Sequence, residues 1–200
     1  QIREILIQKG KELHRKREKN ARFISSRVTS QLAALGMENA QFRIDVNYRY
    51  AEKGLEIGER QPVLFHADGA DEIEFLLTTI PDRPPRPLRE IASGGEVSRV
   101  MLALKCTFGE ADAVPTMVFD EIDVGVGGET ANAVAERLTA LCEQKQVFCI
   151  THLPHIASRA DRNFRVEKKD REGRLTSSIS QVSGKEREKE LARMLGREDS

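Results

Sequence analysis

Long hydrophobic runs are missing from this chain of 200 residues. None approaches the roughly 18 residues that a membrane-crossing helix needs, so no membrane span is expected. Aromatic residues make up only 5%, with no tryptophan, which leaves no stacking platform for reading unpaired bases. The three cysteines, Cys106, Cys142 and Cys149, show no CxxC spacing, which excludes a zinc or disulfide framework. Each has apolar neighbours in sequence, and all three are expected to be buried, reduced thiols of a cytosolic protein. No GxxxxGK[ST] run occurs, so the chain carries no P-loop lysine and no backbone phosphate cradle of that kind. The first residues are mixed and charged, unlike a signal peptide. The sequence opens at Gln1 in what reads as mid-helix, so it is expected to be part of a longer protein.

What is present indicates a globular chain with an exposed charged element, at 39% hydrophobic and 32% charged residues. Net charge is zero but unevenly spread. Residues 1–22 hold eight Lys/Arg against three Glu, and residues 162–197 hold eleven against six acids. Between them, residues 110–136 hold seven acids and no Lys or Arg. The basic runs fit either solvated faces or a track for a polyanion.

Residues 1–35 read as one helix, with Ile2, Leu6, Leu13, Ile24, Val28, Leu32 and Leu35 at helical or heptad spacing and Gly36 as C-cap. Its middle, His14–Asn20, is polar all round, which suits the end of a coiled coil; an amphipathic surface helix is the alternative. Phe42–Tyr48 alternates as a half-buried strand, Val63–Phe65 reads as a short strand, and Glu72–Thr79 as another strand. Residues 51–62 read as an exposed loop, and the four prolines of Pro81–Pro87 end regular structure.

A helix follows Gly95, with Val97, Val100, Met101, Leu104 and Phe108 on its inner face and Gly109 as its end. Thr116–Phe119 and Val147–Ile150 are continuous apolar runs around a helix over 129–143, with Ala131, Val134, Leu138 and Leu141 inward. Continuous runs imply a parallel βαβ unit covered on both faces. Beyond it come a short helix at Pro154–Ala160 and an antiparallel pair, Phe164–Val166 with Thr176–Val182, around Gly173. Ser183–Glu186 reads as a capping box opening a last helix with Leu191, Met194 and Leu195 on one side.

Three stretches carry chemistry. Ser93-Gly94-Gly95 opens a helix, where unpaired amides and the helix dipole attract an anion and glycines let a phosphate come close. A plain N-cap turn is the alternative. Asp120-Glu121 follows a strand and would face the ligand crevice of an α/β sheet. There Asp120 suits magnesium, held through water, and Glu121 suits activation of a water for attack on a γ-phosphate. Two acids that merely cap a strand would look the same. His152 leaves the next strand at the same edge, placed to hydrogen-bond a γ-phosphate or its water. With His155 it also allows a metal reading, which Pro154 and the lack of further ligands disfavour. Asp123 lies in a loop suited to contacting a partner subunit.

At these residues the chain resembles the ABC-type ATPases. Ala92–Glu96 is similar to their signature motif, Val118–Glu121 to Walker B, Asp123 to the D-loop aspartate and His152 to the switch histidine. The longer strings Ile91–Lys105, Phe119–Gly128 and Ile150–Ala157, with Glu190–Leu195, resemble the RecN family of bacterial DNA-repair proteins, a branch of the SMC-like ATPases. The likeness is loose over 1–70 and close over 71–200. Val97 stands where leucine is usual.

The resemblance implies an α/β fold of ABC-ATPase, SMC-type head class. This chain would supply the C-terminal lobe of that head: a parallel βαβ core, a helical signature region and antiparallel strands. Residues 1–36 would be the returning coiled-coil arm and 37–200 the lobe, with Walker A on an N-terminal lobe beyond the arm. ATP and Mg2+ would be sandwiched between two heads. Glu121 and His152 would be catalytic, and Asp120 the metal residue. Ser93, Gly94, Gly95 and Glu96 would contact the nucleotide of a second head, with Asp123 beside them. The implied partners are the N-terminal lobe, a second copy and the backbone of DNA, with no membrane, in a bacterial cytoplasm at the nucleoid. Hydrolysis would need the N-terminal lobe. ATP held between the heads would drive dimerisation coupled to DNA binding in double-strand-break repair and recombination, and hydrolysis would release the dimer. An ABC ATPase of a non-DNA system, or a non-catalytic DNA-binding or dimerisation fragment, are the alternatives.

Overall fold

Ile2–Ala34 form α1, a 33-residue helix that stops where its sequence says it should. Gly36 takes a left-handed φ of 75°. Its amide donates to the Ala33 carbonyl at 3.2 Å and that of Met37 to the Leu32 carbonyl at 3.0 Å, a Schellman closure. Leu32 and Met37 are both buried, supplying the apolar contact that accompanies it. The computed structural model describes residues 1–57, 61–91, 93–171 and 174–196, and the chain divides into two units, 1–93 and 94–200.

In the first unit α1 covers an antiparallel sheet of order β1–β3–β4, formed by Gln41–Tyr48, Asp71–Thr78 and Arg86–Pro87. β1 pairs with β3 from Gln41 opposite Thr78 to Tyr48 opposite Asp71. Backbone amides of β1 also turn to the helix: Phe42 donates to Thr29 Oγ1 and Ile44 to Ser25 Oγ, each at 3.0 Å. Val28, Leu32, Leu35, Phe42, Val63 and Leu77 form the core.

Two expectations change here. The stretch 51–62 is not all loop: Tyr50–Leu55 form strand β2, held by bridges from Tyr50 and Leu55 to Val63, which makes no strand of its own. Gly54 permits this, because a Cβ there would lie 2.5 Å from the Val63 backbone. The polar middle of α1 is docked rather than exposed all round. His14 stacks on Tyr48 with ring centroids 4.0 Å apart, and His14 and Arg17 converge on Asp71.

The second unit begins with α2, Gly94–Phe108. β5 (Thr116–Phe119), α3 (Gly128–Cys142) and β6 (Gln146–Cys149) then make the expected parallel βαβ crossover, with Thr116 opposite Gln146 and Phe119 opposite Cys149. All four predicted inward residues of α3 are buried, with Ala135 beside them. The sheet, however, is covered on one face only. Met117 and Phe119 are buried, while Val118 is 67% and Ile150 59% exposed, with Phe148 also exposed. On α2, Leu102 and Ala103 are buried with Val100 and Leu104, whereas Met101 and Phe108 turn outward. Burial of three consecutive residues means α2 is packed on more than one side, which a single inner stripe does not anticipate.

After the short helix α4 (Pro154–Ala157) come β7 (Asn163–Arg171) and β8 (Arg174–Val182), antiparallel, and α5 (Gly184–Met194). Gly173, the expected turn, lies outside the described residues. Ser183 makes no capping bond, because Gly184 enters the helix left-handed at φ 50° and the regular first turn of a capping box is not built. Arg187 instead reaches back to the Ser158 and Ala160 carbonyls at 2.7 and 3.0 Å, satisfying acceptors just past α4. The cysteines are not buried: Cys142 is exposed, and Cys106 and Cys149 are half-buried. No helix among the described residues is long and apolar enough to cross a membrane.

Candidate functional site

The register of β5 and β6 decides what can meet. Phe119 and Cys149 are opposite, so Asp120 and the run Ile150–His152 leave the sheet at one edge. The Ile150 amide still bonds the Phe119 carbonyl at 2.9 Å, holding the two exits together.

Residues 120–126 fold into two overlapping turns. The Val124 amide donates to the Glu121 carbonyl and the Val126 amide to the Asp123 carbonyl, each at 3.2 Å. Ile122, fully buried, anchors the loop. Glu121 sits at φ 57°, a left-handed conformation that costs a side-chain-bearing residue roughly 1–2 kcal/mol. Its amide is held by Asp120 Oδ1 at 2.9 Å. Strained residues of this kind persist only where their surroundings over-determine them, and they cluster at functional sites. Asp120 and Glu121 are both exposed.

Asp123 is turned inward, 3% exposed. Its Oδ2 accepts from Thr151 Oγ1 at 2.5 Å and the His152 amide at 2.8 Å, and lies 3.0 Å from His152 Nδ1. A carboxylate oxygen accepts, so the ring donates from Nδ1 and turns Nε2 away from Asp123. The ring itself is 70% exposed. Thr151 Oγ1 in turn accepts from the Leu153 amide at 3.0 Å. The turn after β5 and the turn after β6 are thus one network.

The start of α2 packs against that loop. A Cβ on Gly94 would collide with Glu121 Oε2, and one on Gly95 would lie 3.1 Å from both Val124 Cβ and its carbonyl oxygen. The two glycines let this chain's own loop come close: at Gly95 the neighbour is partly backbone, whereas at Gly94 it is the movable end of the Glu121 side chain. Ser98 Oγ donates to the Asp120 carbonyl at 2.7 Å, and Arg99 Nη1 to the Val124 carbonyl at 2.9 Å. Burial holds the Arg99 guanidinium below the usual arginine range, with Glu96 pulling the other way. Burial first, then the charges of Asp123 and Asp120, pushes the Cys149 thiol up to about 12, so it stays protonated and is no nucleophile.

The structure thus brings Gly94, Gly95, Asp120, Glu121, Asp123 and His152 into one part of the second unit, with the exposed Ser93 immediately before α2. Ala92 lies outside the described residues. Sequence reasoning missed Thr151, Ser98 and Arg99. The signal for the last two was their polarity, one turn inside the helix and just before the apolar run Val100–Leu104. Among the described residues no group of three or more His, Cys, Asp or Glu could hold a metal ion. Asp120 and Glu121, adjacent in sequence and both exposed, offer hard carboxylate oxygens, the ligand type that magnesium takes along with phosphate and water.

No protein-family model matches the chain. It is similar to the DNA repair protein RecN of Streptomyces coelicolor, 43% identical over 185 residues, or 92% of this chain and 32% of that one. To RecN of Treponema pallidum it is 44% identical over 190 residues, 95% of this chain and again 32% of that protein. To RecN of Bacillus subtilis it is 36% identical over 177 residues, covering 88% and 31%. The chain thus spans about a third of the length of the curated relatives it matches. In structure it resembles the Smc head domain, solved with a coiled coil and joint, from Pyrococcus yayanosii, with TM-score 0.56 at 18% identity over 89% of this chain and 30% of that one. It also resembles an SMC ATPase chain solved in work on ATP-driven dimerisation and DNA-stimulated activation, with TM-score 0.50 at 18% identity over 94% of this chain and 99% of that one. Likenesses at that identity speak for the fold, which is that of an SMC-type ATPase head. The sequence relationships go further: this chain belongs to the RecN family.

Proposed function

We propose that this chain is the C-terminal lobe of the ATP-hydrolysing head of an SMC-like DNA-repair protein. The observation that carries the reading is the one loop that holds Asp120, Glu121 and Asp123, tied to His152 through Asp123 and packed beside the glycine-opened start of α2. ATP would lie between two heads. Ser93 and the first amides of α2 would meet the γ-phosphate of a nucleotide held by a second copy, since that helix end favours an anion. Asp120, Glu121 and His152 would act on the nucleotide held by the same protein's N-terminal lobe. The apolar face of β5 and β6 left uncovered by Val118, Phe148 and Ile150 suits that further lobe. α1, with Ile2, Ile5 and Leu6 exposed at its start, suits the end of a coiled-coil arm.

Glu121 takes a proton from water as its oxygen attacks the γ-phosphorus, and ADP leaves with the electrons of the broken P–O bond. His152, fixed by Asp123 with Nε2 turned away from it, orients that water or the phosphate. Asp120 would hold Mg2+ through water, and the ion would neutralise charge on the phosphate oxygens. DNA would be met through its phosphates by the basic runs at 1–22 and 162–197, with binding that weakens steeply as salt rises.

The test is ATP hydrolysis by the full-length protein, wild type against Glu121→Gln, over a range of protein concentrations. A rate that rises more than linearly with protein and disappears in the variant supports the two-head site. No ATPase, or a rate indifferent to Glu121, rejects it in favour of a binding module.

A further inference from the structure

The hydrogen bonds from α2 to the loop after β5 have a geometry that goes beyond packing. Ser98 holds the carbonyl immediately before Glu121, and Arg99 holds the carbonyl three residues after it. Glu121 lies between these two tethers in its left-handed conformation. Its carboxylate rests against Gly94, and the backbone of Val124 rests against Gly95. The Arg99 guanidinium is half-buried, and its Nε has no hydrogen-bond partner among the described residues. A half-buried cation that, among the described residues, bonds a backbone carbonyl and no carboxylate is costly unless that carbonyl must be held.

We infer that Ser98 and Arg99 are positioning residues that make the first turns of α2 and the Asp120–Val124 loop one rigid piece. This rests on the ATPase reading above. An anion arriving at Gly94 and Gly95 presses on a surface whose other side is Glu121 and Val124. The two tethers convert that pressure into displacement of the Glu121 backbone, instead of letting the helix slide past the loop. The nucleotide of one head thereby sets the catalytic carboxylate that serves the nucleotide of the other. Both tethers end on carbonyls, so the coupling reads backbone position and not side-chain identity in the loop.

The test uses the full-length protein with Ser98→Ala, Arg99→Ala and Arg99→Lys. Backbone amide exchange is followed with and without ATP, and steady-state ATPase is measured alongside. In wild type, ATP should slow exchange in both 94–99 and 120–126. In Arg99→Ala the protection at 94–99 should persist while that at 120–126 is lost. The kcat should fall by about tenfold to a hundredfold, the range expected from a small misplacement of a catalytic group, with KM for ATP unchanged. Ser98→Ala should do the same to a smaller degree. Arg99→Lys, which keeps a cation able to reach the carbonyl, should recover part of kcat. Wild-type kcat in Arg99→Ala, or equal loss of protection in both segments, overturns the inference while leaving the ATPase reading intact. A wild-type protein without ATPase removes that reading, and the inference with it.

Discussion

Among the described residues two charged side chains are buried, one in each unit: Asp71 and Asp123, each 3% exposed. Their partners differ in kind. Asp71 is met by Arg17 Nη1 at 2.9 Å and His14 Nδ1 at 2.6 Å, both from α1 and more than fifty residues away in sequence. Asp123 is met by a hydroxyl, an amide and an imidazole, all from Thr151 and His152. The first arrangement balances charge and pins a helix to a sheet. The second, which holds no Lys or Arg, orients a ring and ties two loops. Burial of a carboxylate therefore marks an anchor in the first unit and a site in the second, and the partners tell which.

Breaking the two carboxylates should separate those roles most sharply. Asp71→Ala leaves Arg17 and His14 without their acceptor and should cost about 3–5 kcal/mol, read as a lowered urea midpoint. Asp123→Asn keeps the shape and one acceptor oxygen. It should cost only about 1 kcal/mol of stability, yet lower ATPase of the full-length protein about a hundredfold by unfixing His152. Equal stability losses in the two variants would erase the distinction.

Two glycines extend the comparison. Gly54→Ala forces a Cβ onto the Val63 backbone, which cannot swing aside, so a loss of about 1–3 kcal/mol is expected. Gly94→Ala meets the far end of the Glu121 side chain, which can move. Its thermal midpoint should stay near wild type while the ATPase falls.

The smallest effect concerns thiols. Cys142 is exposed, whereas Cys149 is half-buried and pushed up to about 12. Iodoacetamide at about pH 8 should label Cys142 first and Cys149 last, read by peptide mass. The folded thiol holds its proton more tightly than an unfolded one near 9. Its contribution to stability is therefore complete below pH 9 and declines as pH rises towards 12. Cys149→Ser should flatten that alkaline decline.

The site was more legible in the sequence than the first unit was. Gly-Gly at a helix start, Asp-Glu after one apolar strand and His after the next are local signals tied to element ends. A parallel crossover carries such ends to one edge without further information. β2 was not legible, because Tyr50–Leu55 contains Glu52, Lys53 and Gly54 and owes its extended form to the distant Val63 backbone. Nor was the docking of His14 and Arg17, since their partner Asp71 lies more than fifty residues away and just outside the strand read at Glu72–Thr79. The apolar runs Thr116–Phe119 and Val147–Ile150 overstated burial. Hydropathy records what a face is suited to contact, not which chain supplies the cover. The inward turn of Asp123 was not legible either, because the hydroxyl and amide that it accepts from lie 28 and 29 residues on.

Ser25 and Thr29 lend α1 two acceptors that strand β1 uses for its own amides. Helix and strand consequently cannot fray independently: releasing either strands the other's polar groups, so they should open in a single cooperative event. The amides of Phe42 and Ile44 would then act as slow clocks in native-state hydrogen exchange, reporting on α1 from within the sheet. The same two hydroxyls occupy donors that a stray strand would otherwise pair with, making one short helix segment a guard against edge-to-edge aggregation.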